Sequence, residues 1–266
     1  MSASNMKRIG IWCGLISLML SACGVKDGVA ESTVDPGGDA STDAGKIETV
    51  AGGIVWLHST NPWGNPGIRL DAGGKVIYLD PVDPIGLDAM PKADVILVTH
   101  PHVDHFSAET IARLAKTGTV VVSTKEIGDS LSGVDFQEVA PGQTTSAGGL
   151  EIEGIPAYND DHAIESGYVG FVLVVDGVRI YCSGDTGLTP EMKSLTRIDI
   201  AVLNVRKYYS LSGEDAATFA RTVKPQILIP IHWIPGDVRF GDPAELEILR
   251  RNMPATTELR ELTFSG

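Results

Sequence analysis

The chain has 266 residues, with 21 Lys and Arg against 34 Asp and Glu and a formal charge of −13. So acidic a protein is a poor ligand for nucleic acid, and it does not hold an anionic lipid surface by charge. Its cysteines, Cys13, Cys23 and Cys182, are too few and too scattered for a disulfide framework, so stability has to come from a packed core.

At the N-terminus Lys7 and Arg8 precede an apolar run, Ile9 to Leu20, of 12 residues. That is short of the roughly 20 a helix needs to cross a bilayer, and small residues follow it. Leu20-Ser21-Ala22-Cys23 resembles a bacterial lipoprotein signal. The resemblance implies cleavage after Ala22, lipid on Cys23 as the membrane anchor, and a catalytic body facing the periplasm. Gly24 resembles the outer-membrane rather than the inner-membrane sorting pattern, and a plain secretory signal cut near Ala22 is the alternative. Processing would remove Lys7 and Arg8, leave 19 basic residues against 34 acidic ones, and leave Cys182 as the free thiol. Residues 23–46 are rich in Gly, Asp, Ser, Thr and Ala, bury too little apolar surface to order themselves, and read as a flexible tether. Residues 47–266 are enough for one large domain.

Within that domain short β-branched runs predict strands at Ile54–Leu57, Gly67–Leu70, Val76–Leu79, Val95–Val98, Thr119–Val122, Leu150–Ile155, Tyr168–Val175, Val178–Cys182, Ile200–Val205 and Ile227–Ile231. Helical spacing appears at Ala108–Lys116 behind Ser107, at Lys125–Leu131, at Glu214–Val223 and at Pro243–Arg251 behind Asp242. Asp176-Gly177 between two apolar runs predicts a tight antiparallel hairpin. Many strands with few helices predict an α+β fold, two sheets face to face with helices outside. Cys182, on a strand, reads as a small buried hydrophobe.

The chemistry concentrates in one turn. His100-Pro101-His102-Val103-Asp104-His105 follows the buried run Val95–Val98 directly and uses three of the six histidines in the chain. Side chains alternate along an extended segment, so His-x-His presents two imidazoles on one side, while Asp-His reaches the other as the chain turns into a helix. Catalytic zinc takes about three protein ligands and leaves a position open, so distant residues have to complete the site.

This turn resembles that of the metallo-β-lactamase fold superfamily. The similarity runs on through Val76-Ile77-Tyr78-Leu79-Asp80-Pro81, Pro156-Ala157-Tyr158-Asn159 with His162, Val169-Gly170-Phe171, Gly184-Asp185-Thr186 and Ile229-Pro230-Ile231-His232. The branch it is most similar to is that of the metal-dependent hydrolases that include ascorbate-6-phosphate lactonase. The resemblance implies a four-layer αββα sandwich and a dinuclear centre: His100, His102 and His162 on one divalent ion, Asp104, His105 and His232 on the other, and Asp185 bridging. Asp104 is also the catalytic residue. The flanks of His162 lack the usual His-Pro-Lys of the family. An N/O ligand set suits zinc, with manganese(II) or iron(II) as alternatives. Asp80 matches a residue that accepts a hydrogen bond from a ligand imidazole, and His58, in Trp56-Leu57-His58-Ser59-Thr60, resembles a segment beside the site, with Asn61 to Gly67 as an insertion or shifted loop.

A pair of ions would supply hydroxide from bound water and polarise the bond under attack, which suits an ester, lactone or phosphodiester drawn from small molecules or lipids. Asn159 and the cation- and phenol-bearing run Arg206, Lys207, Tyr208 and Tyr209 are the candidate substrate contacts, the latter for an anionic group. Trp63 and Trp233 are candidates for the mouth of the site or for packing. The alternatives are a non-catalytic metal- or partner-binding lipoprotein and a true β-lactamase. The second is disfavoured because Asp185 resembles a bridging carboxylate that β-lactamases of this fold lack.

Overall fold

Buried strands with apolar residues on both faces call for cover on both faces, and the chain supplies it. The computed structural model describes residues 40–64, 66–233 and 242–263; the signal sequence, Cys23 and the tether up to residue 39 lie outside them. In chain order the elements are α1 (Ala40–Gly52), β1 (Ile54–Trp56), β2 (Ile68–Ala72), β3 (Lys75–Leu79), β4 (Val95–Leu97), α2 (Ala108–Leu114), β5 (Val120–Ser123), α3 (Lys125–Asp129), β6 (Asp135–Glu138), β7 (Thr144–Ala147), β8 (Leu150–Pro156), β9 (Val169–Val175), β10 (Val178–Cys182), α4 (Pro190–Lys193), β11 (Ile200–Asn204), α5 (Gly213–Val223), β12 (Ile227–Ile231), α6 (Asp242–Asn252) and β13 (Glu258–Leu259).

Among the described residues these strands form two mixed sheets, ordered β1-β2-β3-β4-β5-β6 and β13-β12-β11-β10-β9-β8-β7. In each sheet the strands that come first in the chain pair antiparallel and the later ones pair parallel. The Asp176-Gly177 turn has positive φ at both residues (53° and 83°), joining β9 to β10 as the expected antiparallel hairpin.

Three apolar clusters define the layers. Ile77, Leu79, Val95 and Leu97 of the first sheet meet Phe171, Leu173, Ile180, Val202 and Ile229 of the second in the central cluster. The intervening residues Tyr78, Ile96 and Val121 face Ile111 and Leu114 of α2 and Ile127 of α3. On the other side Tyr181, Ala201, Leu203 and Leu228 pack on Met192 of α4, Phe219 of α5 and Leu246 and Leu249 of α6. The order is helix, sheet, sheet, helix, the expected four-layer α+β sandwich. Cys182 is buried in the central cluster, where burial pushes its thiol pKa up, and it is an inert hydrophobe as its strand position suggests.

Helix ends follow local chemistry. Ser107 accepts the Thr110 amide at 3.2 Å to start α2, and Ser212 and Asp215 form a reciprocal capping box on α5. One boundary differs from the sequence reading. The tether was expected to run to Lys46, but α1 begins at Ala40, because Ile47, Val50 and Ala51 at helical spacing are buried in the central core and stabilise the polar turns ahead of them. No helix among the described residues is long and apolar enough to cross a membrane.

Candidate metal centre

β4 delivers its chain end, through Val98 and Thr99, to the His100–His105 turn, and α2 carries the chain away immediately after it. Distant segments converge on that turn. Gly184 adopts φ 60° in close packing against Thr99 and sets Asp185 just beyond β10. His232 follows β12 in a left-handed backbone (φ 70°), a strained conformation for a non-glycine residue that the surrounding packing has to hold. His162 sits on the loop between β8 and β9, where Asn159 Oδ1 accepts its amide at 2.9 Å.

The donor atoms fall into three overlapping groups, each with its atoms within 4.8 Å of one another: His100, His102 and His162; His100, His105 and Asp185; and Asp104, His105 and His232. Asp185 thus lies within reach of His100 in one outer group and of His105 and His232 in the other. Its Oδ2 is 3.4 Å from His105 Nε2 and its Oδ1 is 3.5 Å from His232 Nε2. Asp104 Oδ2 lies 3.7 Å from His232 Nε2. All seven residues that the sequence named as ligands are therefore brought together.

Neighbouring hydrogen bonds orient the rings. The Thr99 amide donates to Asp80 Oδ1 and the Thr99 hydroxyl to Asp80 Oδ2, both at 2.8 Å, and His105 Nδ1–H donates to Asp80 Oδ2 at 2.8 Å. With its proton committed to Asp80, the Thr99 hydroxyl accepts from His100 Nδ1–H at 2.9 Å. Both imidazoles are left with Nε2 facing the cluster, and His100 Nε2 is buried with no hydrogen-bond partner. Asn204 Nδ2 donates to Asp185 Oδ1 at 2.8 Å and orients that carboxylate. Thr99 and Asn204 were not singled out in the sequence for these roles. The one local signal was Thr99, a polar residue closing an apolar strand just before the first histidine.

Burial, reinforced by the neighbouring His105, holds the His100 pKa well below its ordinary value, so that ring is neutral. Burial also opposes charge on His105, but the carboxylates of Asp185 and Asp80 outweigh it and raise that pKa well above the usual range. Asp185 is drawn well below the carboxylate range by His105 and His232, against the effect of its own burial. Packing basic rings this closely, with His100 and His105 centroids 4.0 Å apart and His100 and His162 4.9 Å apart, makes physical sense around a cation that takes up their lone pairs. The nitrogen and oxygen donors fit a divalent metal ion.

A cavity of about 360 Å³ opens over the cluster. Its described lining includes His102, Asp104, His162, Asp185, Arg206 and His232, with Trp63, Val103 and Tyr209 toward the mouth. Other expected substrate contacts are absent from that lining. The Asn159 carboxamide is engaged with the amides of Asp161 and His162 and with the Tyr209 carbonyl, so it positions the His162 loop. Lys207 is drawn aside by Glu245 at 3.0 Å, and Tyr208 projects outward from a left-handed backbone, 72% exposed. His58 is exposed and belongs to none of the three donor groups; its carbonyl accepts the Ile85 amide at 2.8 Å. Trp233 packs on Trp56 with ring centroids 5.3 Å apart, as core.

The sequence profile of the beta-lactamase superfamily domain matches residues 64–232, the span that carries the cluster. The chain belongs to that superfamily. It is similar to UPF0173 metal-dependent hydrolases from Pelotomaculum thermopropionicum (30% identical over 202 residues, 69% of this chain and 88% of the relative) and Methanoculleus marisnigri (31% over 207 residues, 73% and 88%). A crystal structure from Parabacteroides distasonis, assigned as a metal-dependent hydrolase, superposes with a TM-score of 0.65 at 31% identity, covering 76% of this chain and 91% of that one. The protein is accordingly a member of the UPF0173 metal-dependent hydrolase family, an enzyme of the metallo-β-lactamase fold.

Proposed function

We propose that the protein is a dinuclear hydrolase of a small ester, lactone or phosphodiester bearing an anionic group. His100, His102 and His162 would hold one ion, Asp104, His105 and His232 the other, and Asp185 would serve both. The observation that carries this reading is the meeting of the three donor groups at one place, with Asp185 within reach of both outer groups. When bound, the ions acidify water and polarise the carbonyl or phosphoryl group under attack. The chain's own residues do the rest. Asp80 and Thr99 fix the tautomers of His105 and His100, and Arg206, the one Lys or Arg among the described lining residues, faces the negative charge of the substrate. Zinc is the ion that best suits five imidazoles at a hydrolytic site, with manganese(II) and iron(II) as the competitors.

A panel of lactones, phosphodiesters, carboxylic esters and β-lactams, run on metal-replete protein, tests the reading. Turnover of one of the first three classes, abolished by chelation and restored by zinc, is the expected result; turnover of β-lactams alone, or of nothing, counts against it.

The proposed setting is a membrane surface facing the periplasm, reached through lipid on Cys23 with no protein segment crossing the bilayer. The support is the order of charge, apolar run and Leu-Ser-Ala-Cys in residues 7–23. Cys23→Ser is expected to move the protein from the membrane fraction to the soluble fraction on fractionation of expressing cells, and unchanged retention would point to a different anchor.

A further inference from the structure

Among the described residues six large apolar side chains are exposed, and three of them, Trp63 (56%), Val103 (64%) and Tyr209 (43%), line the one cavity above the donor cluster. Apolar side chains gathered at a cavity rather than scattered mark a surface that a ligand covers.

This wall is built and held. Asn61 Oδ1 accepts the Trp63 amide at 2.9 Å, Asn61 Nδ2 donates to the Val103 carbonyl at 2.8 Å, and the Asn61 amide donates to Ser59 Oγ at 3.0 Å. The loop that carries Trp63 is thereby latched to the ligand turn itself. Gly64 allows the close approach: at φ 143° its backbone passes so near the site that a Cβ there would collide with the Arg206 guanidinium and the His232 ring. The Tyr209 carbonyl is held by Asn159 at 2.7 Å, and the Arg206 guanidinium lies 5.9 Å from the Tyr209 ring centroid. The cavity therefore has a polar floor of donors and Arg206 and an apolar rim of Trp63, Val103 and Tyr209.

We infer that this rim is a subsite for an aryl or similarly flat apolar substituent of the substrate, carried beside the bond that is cleaved. The inference rests on the hydrolase reading above for what lies on the floor, and it adds the chemical class of the rest of the substrate. At about 360 Å³ the cavity is at the small end of ligand sites, so the substituent is the size of a ring rather than a long chain buried whole.

The test uses the full chain loaded with zinc and two probes that differ only in the substituent, phenylphosphonate and methylphosphonate, with dissociation constants read by calorimetry. Wild-type protein is expected to bind the phenyl compound about tenfold more tightly, Trp63→Ala to reduce that preference to about twofold, and Trp63→Phe to keep most of it. The ratio of kcat/KM for bis(4-nitrophenyl) phosphate over methyl 4-nitrophenyl phosphate should fall in the same order across the three proteins. No phenyl preference in wild type, or equal losses for both probes in Trp63→Ala, would overturn the subsite. A phenyl preference without turnover of either diester would support the subsite and count against phosphodiesters as the substrate class.

Discussion

Asp104→Ala is expected to lower kcat of metal-replete protein about a thousandfold, equivalent to about 4 kcal/mol of transition-state stabilisation, while leaving the fold intact. The two halves of that expectation come from different observations. Asp104 lies in the cavity lining and in the group with His105 and His232, so on the proposed two-ion reading its loss would take a donor from one ion while the His100, His102 and His162 group keeps all of its own. The side chain is only partly buried, 15% exposed, and its charge contacts are with His105 and His232 rather than with a strand or helix end, so the packed layers do not depend on it. Bound metal per chain should fall by about one equivalent, read by atomic emission after gel filtration. The melting temperature of the metal-free variant should match metal-free wild type. Unchanged turnover would remove Asp104 from the mechanism, and collapse of the fold would make it a structural residue.

Metal removal is the second large effect. Without the ions, His100, His105 and His162 are held ring against ring in the interior, with His100 Nε2 lacking a partner. A ligand that binds only the folded state, present at about a thousand times its dissociation constant, adds about 4 kcal/mol to stability. For a domain of this size that corresponds to a rise in melting temperature of about 8–16 °C. Differential scanning calorimetry of chelated and zinc-reloaded protein should show that gap, together with complete and reversible loss of activity. Identical melting curves would mean that the cluster does not bind metal in the folded protein.

Much of this site could be read along the chain because its chemistry is dense there. The His100–His105 turn follows a strand buried on both faces, so motif and position arrive together, and Asp185 and His232 sit just past the ends of other strands. Hydrogen bonds across long separations were less visible. Asn204 reaches Asp185 and Thr99 reaches Asp80, each 19 residues away, and nothing local to either residue announces the pairing. The Arg206–Tyr209 run shows the limit of composition. Four neighbouring residues looked alike as substrate contacts, but the backbone turns at Tyr208 (φ 83°) and Glu245 captures Lys207, which leaves Arg206 and Tyr209 on the cavity. In the fold, β6, β7 and β13 went unread because they are peripheral strands with few apolar residues, whose pairing is decided by their neighbours rather than by their own alternation. The short α4 went unread as well, although Thr189 capping a helix with Pro190 in its first turn is a recognisable start.

The proposed chemistry requires two ions held side by side. The most direct measurement is a crystal structure of the zinc-loaded protein with anomalous scattering recorded at the zinc edge. Two anomalous peaks are expected about 3.5–4 Å apart, one against His100, His102 and His162, the other against Asp104, His105 and His232, with Asp185 touching both. A single peak, or peaks away from these residues, would contradict it.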